Sequence, residues 1–197
     1  MKKPGRSKTF VLGVTGAFGS GKSTAARWLC GTDGLLIDAD AIGHALLEPG
    51  SPAYARVVAA FGTAERSKLG KIVFAGGGSK LSRLNRIMHP LIKAEIKRRI
   101  AACAGGLIVL DAPLLYETQL HKAADAVVVV AADERRRLAR LGRRAGYIRR
   151  ERLEAIDRSQ MPLEKKIRKA DFVIDNNASK MQTKKQAVCI RRQVWRS

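Results

Sequence analysis

Acidic and aromatic side chains are the scarce classes in this 197-residue chain. Aromatics make up only 5%, which leaves few platforms for stacking nucleobases and argues against a single-strand nucleic-acid binder. Cysteine occurs three times, at the widely spaced Cys30, Cys103 and Cys189. An odd, scattered set fits a reducing, cytoplasmic setting better than a disulfide framework or a cysteine zinc site. The longest uninterrupted apolar run, Ala126–Ala132, has seven residues against the roughly 20 of a membrane-spanning helix. After the basic start Met1–Lys8 only the short Phe10–Val14 is apolar, so neither a signal peptide nor a membrane partner is expected. Apolar residues at 46% and charged ones at 28% describe a globular domain and exclude general disorder.

The shortage of acids sets the charge. Lys and Arg number 38 against 17 Asp and Glu, a formal net charge of +21. An excess of that size points to polyanionic or phosphate-bearing partners, although many such side chains simply form a solvated face.

Short runs rich in Val, Ile and Leu alternate with helical patterns, which predicts an α/β fold around a parallel sheet. Five strands are expected, at Thr9–Thr15, Leu35–Asp38, Leu107–Asp111, Ala126–Ala131 and Phe172–Asp175. More than sixty residues separate Asp40 from Leu107, too many for one helical crossover. Within them Tyr54, Val57, Val58 and Phe61 form one apolar stripe, Leu81, Leu84 and Met88 a second, and Ile92, Ile96 and Ile100 a third. This predicts a helical lobe over about residues 41–104, with Gly76–Gly78 as a loop between helices and with His89, before Pro90, at a helix boundary. A basic helical insert spans about 133–169. A last helix is expected to present Met181, Val188 and Trp195 on one side. The domain would cover 9–190, preceded by a basic arm over residues 1–8.

The strongest local signal is Gly16-Ala17-Phe18-Gly19-Ser20-Gly21-Lys22-Ser23-Thr24, which matches G-x-x-x-x-G-K-[ST] between a strand and a helix. Glycines let the backbone wrap a phosphate with its N–H groups turned inward, and the helix N-terminus adds partial positive charge there. Lys22 is placed to reach the β- and γ-phosphates and the Ser23 hydroxyl to bind Mg²⁺. This is a nucleoside-triphosphate site, so ATP and Mg²⁺ are the expected ligands, on a P-loop nucleoside-triphosphate hydrolase fold. No Asn-Lys-x-Asp guanine signature is present. Asp38 and Asp40 follow the second strand, on one face if the chain is extended there. Asp111 ends the third strand in the manner of a Walker B carboxylate. For an Asp after a strand, a helix N-cap is the competing role.

Several further motifs carry a resemblance. Thr15–Thr24, Asp38-Ala39-Asp40, His89-Pro90, Pro113-Leu114-Leu115-Tyr116-Glu117, Arg140-Leu141-Gly142-Arg143-Arg144, Gln160–Pro162, Lys166 and Ala170–Asn176 are similar, in that order, to motifs of the dephospho-CoA kinase family. The resemblance spans roughly 9–190. It implies transfer of the ATP γ-phosphoryl group to the ribose 3′-hydroxyl of dephospho-CoA. It further implies that Asp40 orients and deprotonates that hydroxyl and that Asp38 assists through Mg²⁺. Arg140 and Arg144 would close on the ATP phosphates, with Asn176 near the nucleotide. His89, Leu115, Tyr116 and Glu117 would face the acceptor, although core packing explains Leu115 and Tyr116 as well, His89 has an equal claim to a purely structural role, and Glu117 could instead hold the lid. The chain departs from the family at Ala17, Phe18, Ala145 and Ala178, and at Arg137, where glutamine is usual. Two alternatives remain. In a shikimate kinase, Ile72–Phe74 would be a strand before Gly76–Gly78, but Leu69, Ile72 and Val73 fit a helix better. A nucleic-acid-binding ATPase is permitted by the charge and disfavoured by the few aromatics.

Overall fold

The computed structural model describes residues 9–75, 77–145 and 150–195; the side chains of 74, 77, 143–145 and 152 are also left undescribed. The basic arm over residues 1–8 therefore lies outside the described residues, as do residues 146–149.

Five strands form one parallel sheet: β1 (Thr9–Gly16), β2 (Leu35–Asp38), β3 (Gly106–Asp111), β4 (Ala126–Ala131) and β5 (Phe172–Asp175), in spatial order β2-β3-β1-β4-β5. Each strand lies within a residue of its expected span. The interior strands β1, β3 and β4 are nearly continuous apolar runs because both faces of such a sheet are covered. One face carries Leu12, Val14, Leu107, Val109, Val128, Val130 and Ile174 against α1 (Lys22–Cys30) and α9 (Lys180–Val194). Alternation turns Gly13 to the opposite face, where an added Cβ would come within 2.9 Å of Leu115.

The register aligns the functional edge. Val14 pairs with Asp111, Gly16 with Val130, and Ala131 with Asp175. Because the strands run parallel, their C-terminal ends meet at one edge, beside the central strand β1 from which the chain turns to both sides. Ligands of open α/β sheets bind at such a place.

Of the side chains expected on one side of the last helix, Trp195 packs against the core and Met181 does not. Thr183, Ala187 and Ile190 are its buried residues, while Met181 is 65% exposed. A Ser179–Gln182 capping box fixes where α9 begins, and small side chains at 183 and 187 permit close packing on α1. Hydrophobicity alone favours Met181, but it lies in the first turn on the solvent side.

The chain divides into two compact units, one formed by residues up to Ile37 and from Cys103 onward, the other by Asp38–Ala102. The second unit is helical: α2 (Ala39–Ala45), α3 (Tyr54–Phe61), α4 (Arg66–Ala75) and α5 (Gly77–Ala102). Its core gathers Ala53, Val57, Ala64, Leu69, Val73 and Met88, with Leu81, Leu84, Leu91 and Ile92 packed around them. Leu69, Ile72 and Val73 lie in helix α4, as their spacing suggests, so Ile72–Phe74 is not a strand.

Two local expectations need correction. Gly77 and Gly78 begin α5 instead of forming a loop, and Gly76 lies outside the described residues. His89-Pro90 does not mark a helix boundary, since α5 runs through Pro90. Proline inside a helix costs about 3 kcal/mol, but Met88 on one side of it and Leu91 and Ile92 on the other pack into the same core. A break at Pro90 would separate the two apolar stripes, so tertiary burial overrides the local penalty.

In the first unit the basic insert forms α6 (Glu134–Ala145), α7 (Arg150–Arg158) and α8 (Leu163–Arg168). No helix among the described residues is long and apolar enough to cross a membrane.

Candidate active site

The phosphate loop leaves β1 at Gly16, where only glycine fits, since a Cβ would lie 2.4 Å from the Val130 carbonyl oxygen. Gly19 and Gly21 have φ of 78° and 90°, in the left-handed region that glycine adopts without strain. Ser20 is fully buried and its hydroxyl has no hydrogen-bond partner. An orphaned donor in a glycine-rich concavity suits an anionic oxygen. Lys22, Ser23 and Thr24 then form the first turn of α1.

Lys22 Nζ donates to Asp111 Oδ1. The pair is largely enclosed, with side-chain exposures of 11% and 2%. The β1–β3 register makes the pair possible, since it sets Asp111 at the strand end level with Val14. Asp111 thus takes the position of a Walker B carboxylate, charge-paired with the loop lysine.

Arg140 and Asn176 converge on one carbonyl of the loop. Arg140 Nη1 donates to the Ser20 carbonyl at 3.1 Å and Nη2 to the Asn176 carbonyl at 2.5 Å. Asn176 Nδ2 donates to the same Ser20 carbonyl at 2.7 Å, and Asn176 Oδ1 accepts from Thr183 at 2.7 Å. In a planar trans peptide the carbonyl and the next N–H point opposite ways, so holding the Ser20 carbonyl outward turns the Gly21 N–H toward the loop interior. Burial, and after it the neighbouring Arg136, pushes the Arg140 pKa down, but arginine remains charged at any physiological pH. Its contacts to the Ser20 and Asn176 carbonyls engage two of its five N–H groups.

These groups border a cavity of about 490 Å³, lined by Gly19, Gly21, Thr24, Trp28, Arg136, Arg140 and Ala178 among others. Trp28 and Arg136 are residues that sequence reasoning missed. Both had a signal: Trp28 is one helical turn beyond Thr24, and Arg136 one turn before Arg140. The side chain of Arg144 lies outside the described residues.

The acidic pair after β2 is not extended. Asp38 ends the strand and caps α2, its Oδ1 accepting from the N–H groups of Asp40 and Ala41 at 2.9 and 3.0 Å. Asp40 is in the first turn of α2. The two carboxylates therefore do not share a strand face, because the chain enters the helix at Ala39.

Of the four expected acceptor residues, Leu115 is fully buried and Tyr116 is 6% exposed, positions that core packing also explains. The Tyr116 ring lies 5.1 Å from that of His121. Glu117 is engaged by its own unit: Oε1 accepts from Met161 N at 2.7 Å and lies 3.1 Å from Lys166 Nζ. Lys166 is 1% exposed and also donates to the Pro113 carbonyl. Removing one partner of a buried ion pair strands the other charge. We expect Glu117→Gln to lower unfolding stability by about 3 kcal/mol, read as the midpoint of urea denaturation, and an unchanged midpoint would contradict the pairing. His89, half-buried in α5, has its pKa pushed down by burial and then by Lys93, so its imidazole is neutral at pH 7.

A parallel sheet in this order, with a phosphate loop leaving the end of its central strand, places the chain among the P-loop kinases. The particular kinase follows from sequence. A profile of the family described as dephospho-CoA kinase matches residues 10–182, and the chain belongs to that family. It is 43% identical to the dephospho-CoA kinase of Carboxydothermus hydrogenoformans over 94% of both chains. A solved Thermus thermophilus protein superimposes with a TM-score of 0.82 at 26% identity, covering 97% of this chain and 100% of that one. The dephospho-CoA kinase of Campylobacter jejuni shares the fold, with a TM-score of 0.63 at 24% identity over 94% and 97% of the two chains. The chain is accordingly an ATP-dependent phosphotransferase of the dephospho-CoA kinase type, and neither the shikimate kinase nor the nucleic-acid ATPase alternative is favoured.

Proposed function

We propose that the cavity beside the phosphate loop holds ATP and that the acceptor is the ribose 3′-hydroxyl of dephospho-CoA, phosphorylated to coenzyme A in the cytoplasm. The observation that carries this reading is the cavity itself, whose walls combine the loop glycines with Arg136 and Arg140. Gly16, Gly19, Ser20, Gly21 and Thr24 receive the phosphates, with Lys22 beside the β- and γ-groups and Asn176 bracing the loop. Ser23 and Asp38 offer hydroxyl and carboxylate oxygens, the donor set that Mg²⁺ prefers. Mg²⁺ at such sites is held by few protein ligands and by substrate phosphates. When bound, Mg²⁺ neutralises phosphate charge.

The protein's own part is positioning and charge compensation. Asp40 takes the proton of the attacking hydroxyl. The new O–P bond forms as the bond to the β-phosphate oxygen breaks, and ADP leaves with that electron pair. Arg140 and, beyond it, Arg144 compensate the charge on the transferring group and keep water out. His89 and Glu117 shape the acceptor region.

The test is incubation with ATP, Mg²⁺ and a panel of acceptors that includes dephospho-CoA and shikimate, with mass spectrometry to identify the phosphorylated product. Phosphorylation of dephospho-CoA alone supports the reading, and transfer to shikimate instead overturns it. Arg140→Ala is expected to lower kcat about tenfold, the size of one charge-assisted hydrogen bond, with a smaller change in KM for the acceptor. Wild-type kinetics would return Arg140 to the role of a loop brace.

A further inference from the structure

Arg137 lies one helical turn before Arg140, and the sequence gives it no role. It is 5% exposed, which is rare for an arginine unless its charge is matched. The match is complete. Nε donates to the Phe18 carbonyl at 2.7 Å, and Nη2 donates to both carboxylate oxygens of Asp157 at 2.6 and 2.7 Å. Phe18 belongs to the phosphate loop and Asp157 to α7, so one side chain in α6 joins the loop to a second helix. Gly19 makes room for the contact: a Cβ there would fall 2.9 Å from Leu141 and 3.5 Å from Arg137 Cβ.

The consequence follows from peptide geometry. The Phe18 carbonyl and the Gly19 N–H share one planar trans peptide and point in opposite directions. With the carbonyl held by Arg137 on the outer side of the loop, the Gly19 N–H is turned to the inner side. Such inward amides make the anion-binding concavity of a phosphate loop. Asp157 fixes the plane of the guanidinium and balances its charge, so that Nε stays aimed at the carbonyl.

We propose that Arg137, held by Asp157, is a positioning residue for nucleotide binding, presetting the Gly19 N–H toward the ATP phosphates. This rests on the reading of the loop as the ATP site. A contact that acts through the loop's resting shape supports ground state and transition state alike, so its loss raises KM for ATP and leaves kcat nearly unchanged.

The experiment measures ATP affinity by calorimetry, together with steady-state constants for ATP and dephospho-CoA, in the wild type, Arg137→Met, Arg137→Lys, Asp157→Asn and the double variant Arg137→Met/Asp157→Asn. Arg137→Met, which keeps the apolar stem and removes every donor, should weaken ATP binding about tenfold, the value of one hydrogen bond to a charged donor, and raise KM for ATP equally, with kcat and the acceptor KM within twofold. Arg137→Lys, which keeps a cationic donor without the planar fork, should recover part of that loss. Asp157→Asn, at a partly exposed carboxylate, should show a smaller loss of the same kind. The double variant should bind ATP no more weakly than Arg137→Met, because both residues act through one contact. Unchanged ATP affinity in Arg137→Met or Asp157→Asn, or an effect confined to thermal stability, would overturn the proposal. Failure of the wild type to bind ATP would instead overturn the functional reading on which it rests.

Discussion

Lys22→Ala is expected to reduce phosphoryl transfer by about three orders of magnitude, at the upper end of what one group facing developing charge contributes. Lys22 is both the cation nearest the transferring phosphate in the proposed mechanism and the partner of a carboxylate that is 2% exposed. Its removal therefore has a second consequence. Asp111 is left as an uncompensated buried charge, at a cost of about 3 kcal/mol in stability. The two effects separate in the double variant Lys22→Ala/Asp111→Asn, which should regain most of the lost stability and none of the lost activity. Urea denaturation and single-turnover transfer to dephospho-CoA, measured on both variants, check this. Near-normal turnover in folded Lys22→Ala would refute the assignment of the loop as the ATP site.

Asp40→Asn is expected to cut phosphoryl transfer by about 10²-fold or more, the lower range of general-base effects, with ATP affinity nearly intact. Asparagine keeps the size of the side chain and one acceptor oxygen, so the loss reports the missing base and charge. Asp38 shows why the two acids of this motif are not interchangeable. Its carboxylate accepts the Asp40 and Ala41 N–H groups, and Asp38→Ala should cost about 1 kcal/mol in stability through the lost cap. Asp111→Asn should act mainly on the Mg²⁺ dependence of the rate. Normal transfer by Asp40→Asn alongside an inactive Asp111→Asn would reverse the two roles.

The phosphate loop was legible because every one of its requirements is local. Gly19 and Gly21 supply positive φ, Lys22 and Ser23 open a helix, and an apolar strand precedes them; the continuous stretch Thr9–Thr24 holds all of this. The strands were legible for a related reason: a strand buried on both faces has little but Val, Ile, Leu and Ala to use, as in Val127–Val130. Trp28 and Arg136 were within reach of helical spacing from Thr24 and Arg140. The contacts of Glu117 were not. Its partner Lys166 stands 49 residues further on, and no periodicity links the loop after β3 to the start of α8.

Pro90 marks the limit in the other direction. Read locally, a proline after His89 ends a helix. In the folded chain α5 continues, because Met88 and Leu91 must enter one core and the packing outweighs the missing hydrogen bond. The same competition decided Asp38, where the start of α2 at Ala39 converted a strand-face carboxylate into a cap.

The sequence by itself determined the class of chemistry, the five strands and the family, since each depends on residues adjacent in the chain or on motifs recurring in order. The tertiary structure alone decided which charges meet. Lys22 finds Asp111 through the β1–β3 register, Lys166 finds Glu117, and Arg137 finds both Phe18 and Asp157. In a chain carrying +21, most cations have no acid to pair with. Which few of them are buried beside a carboxylate or a loop carbonyl depends on long-range packing, because the desolvation that makes such a pair matter exists only in the folded state.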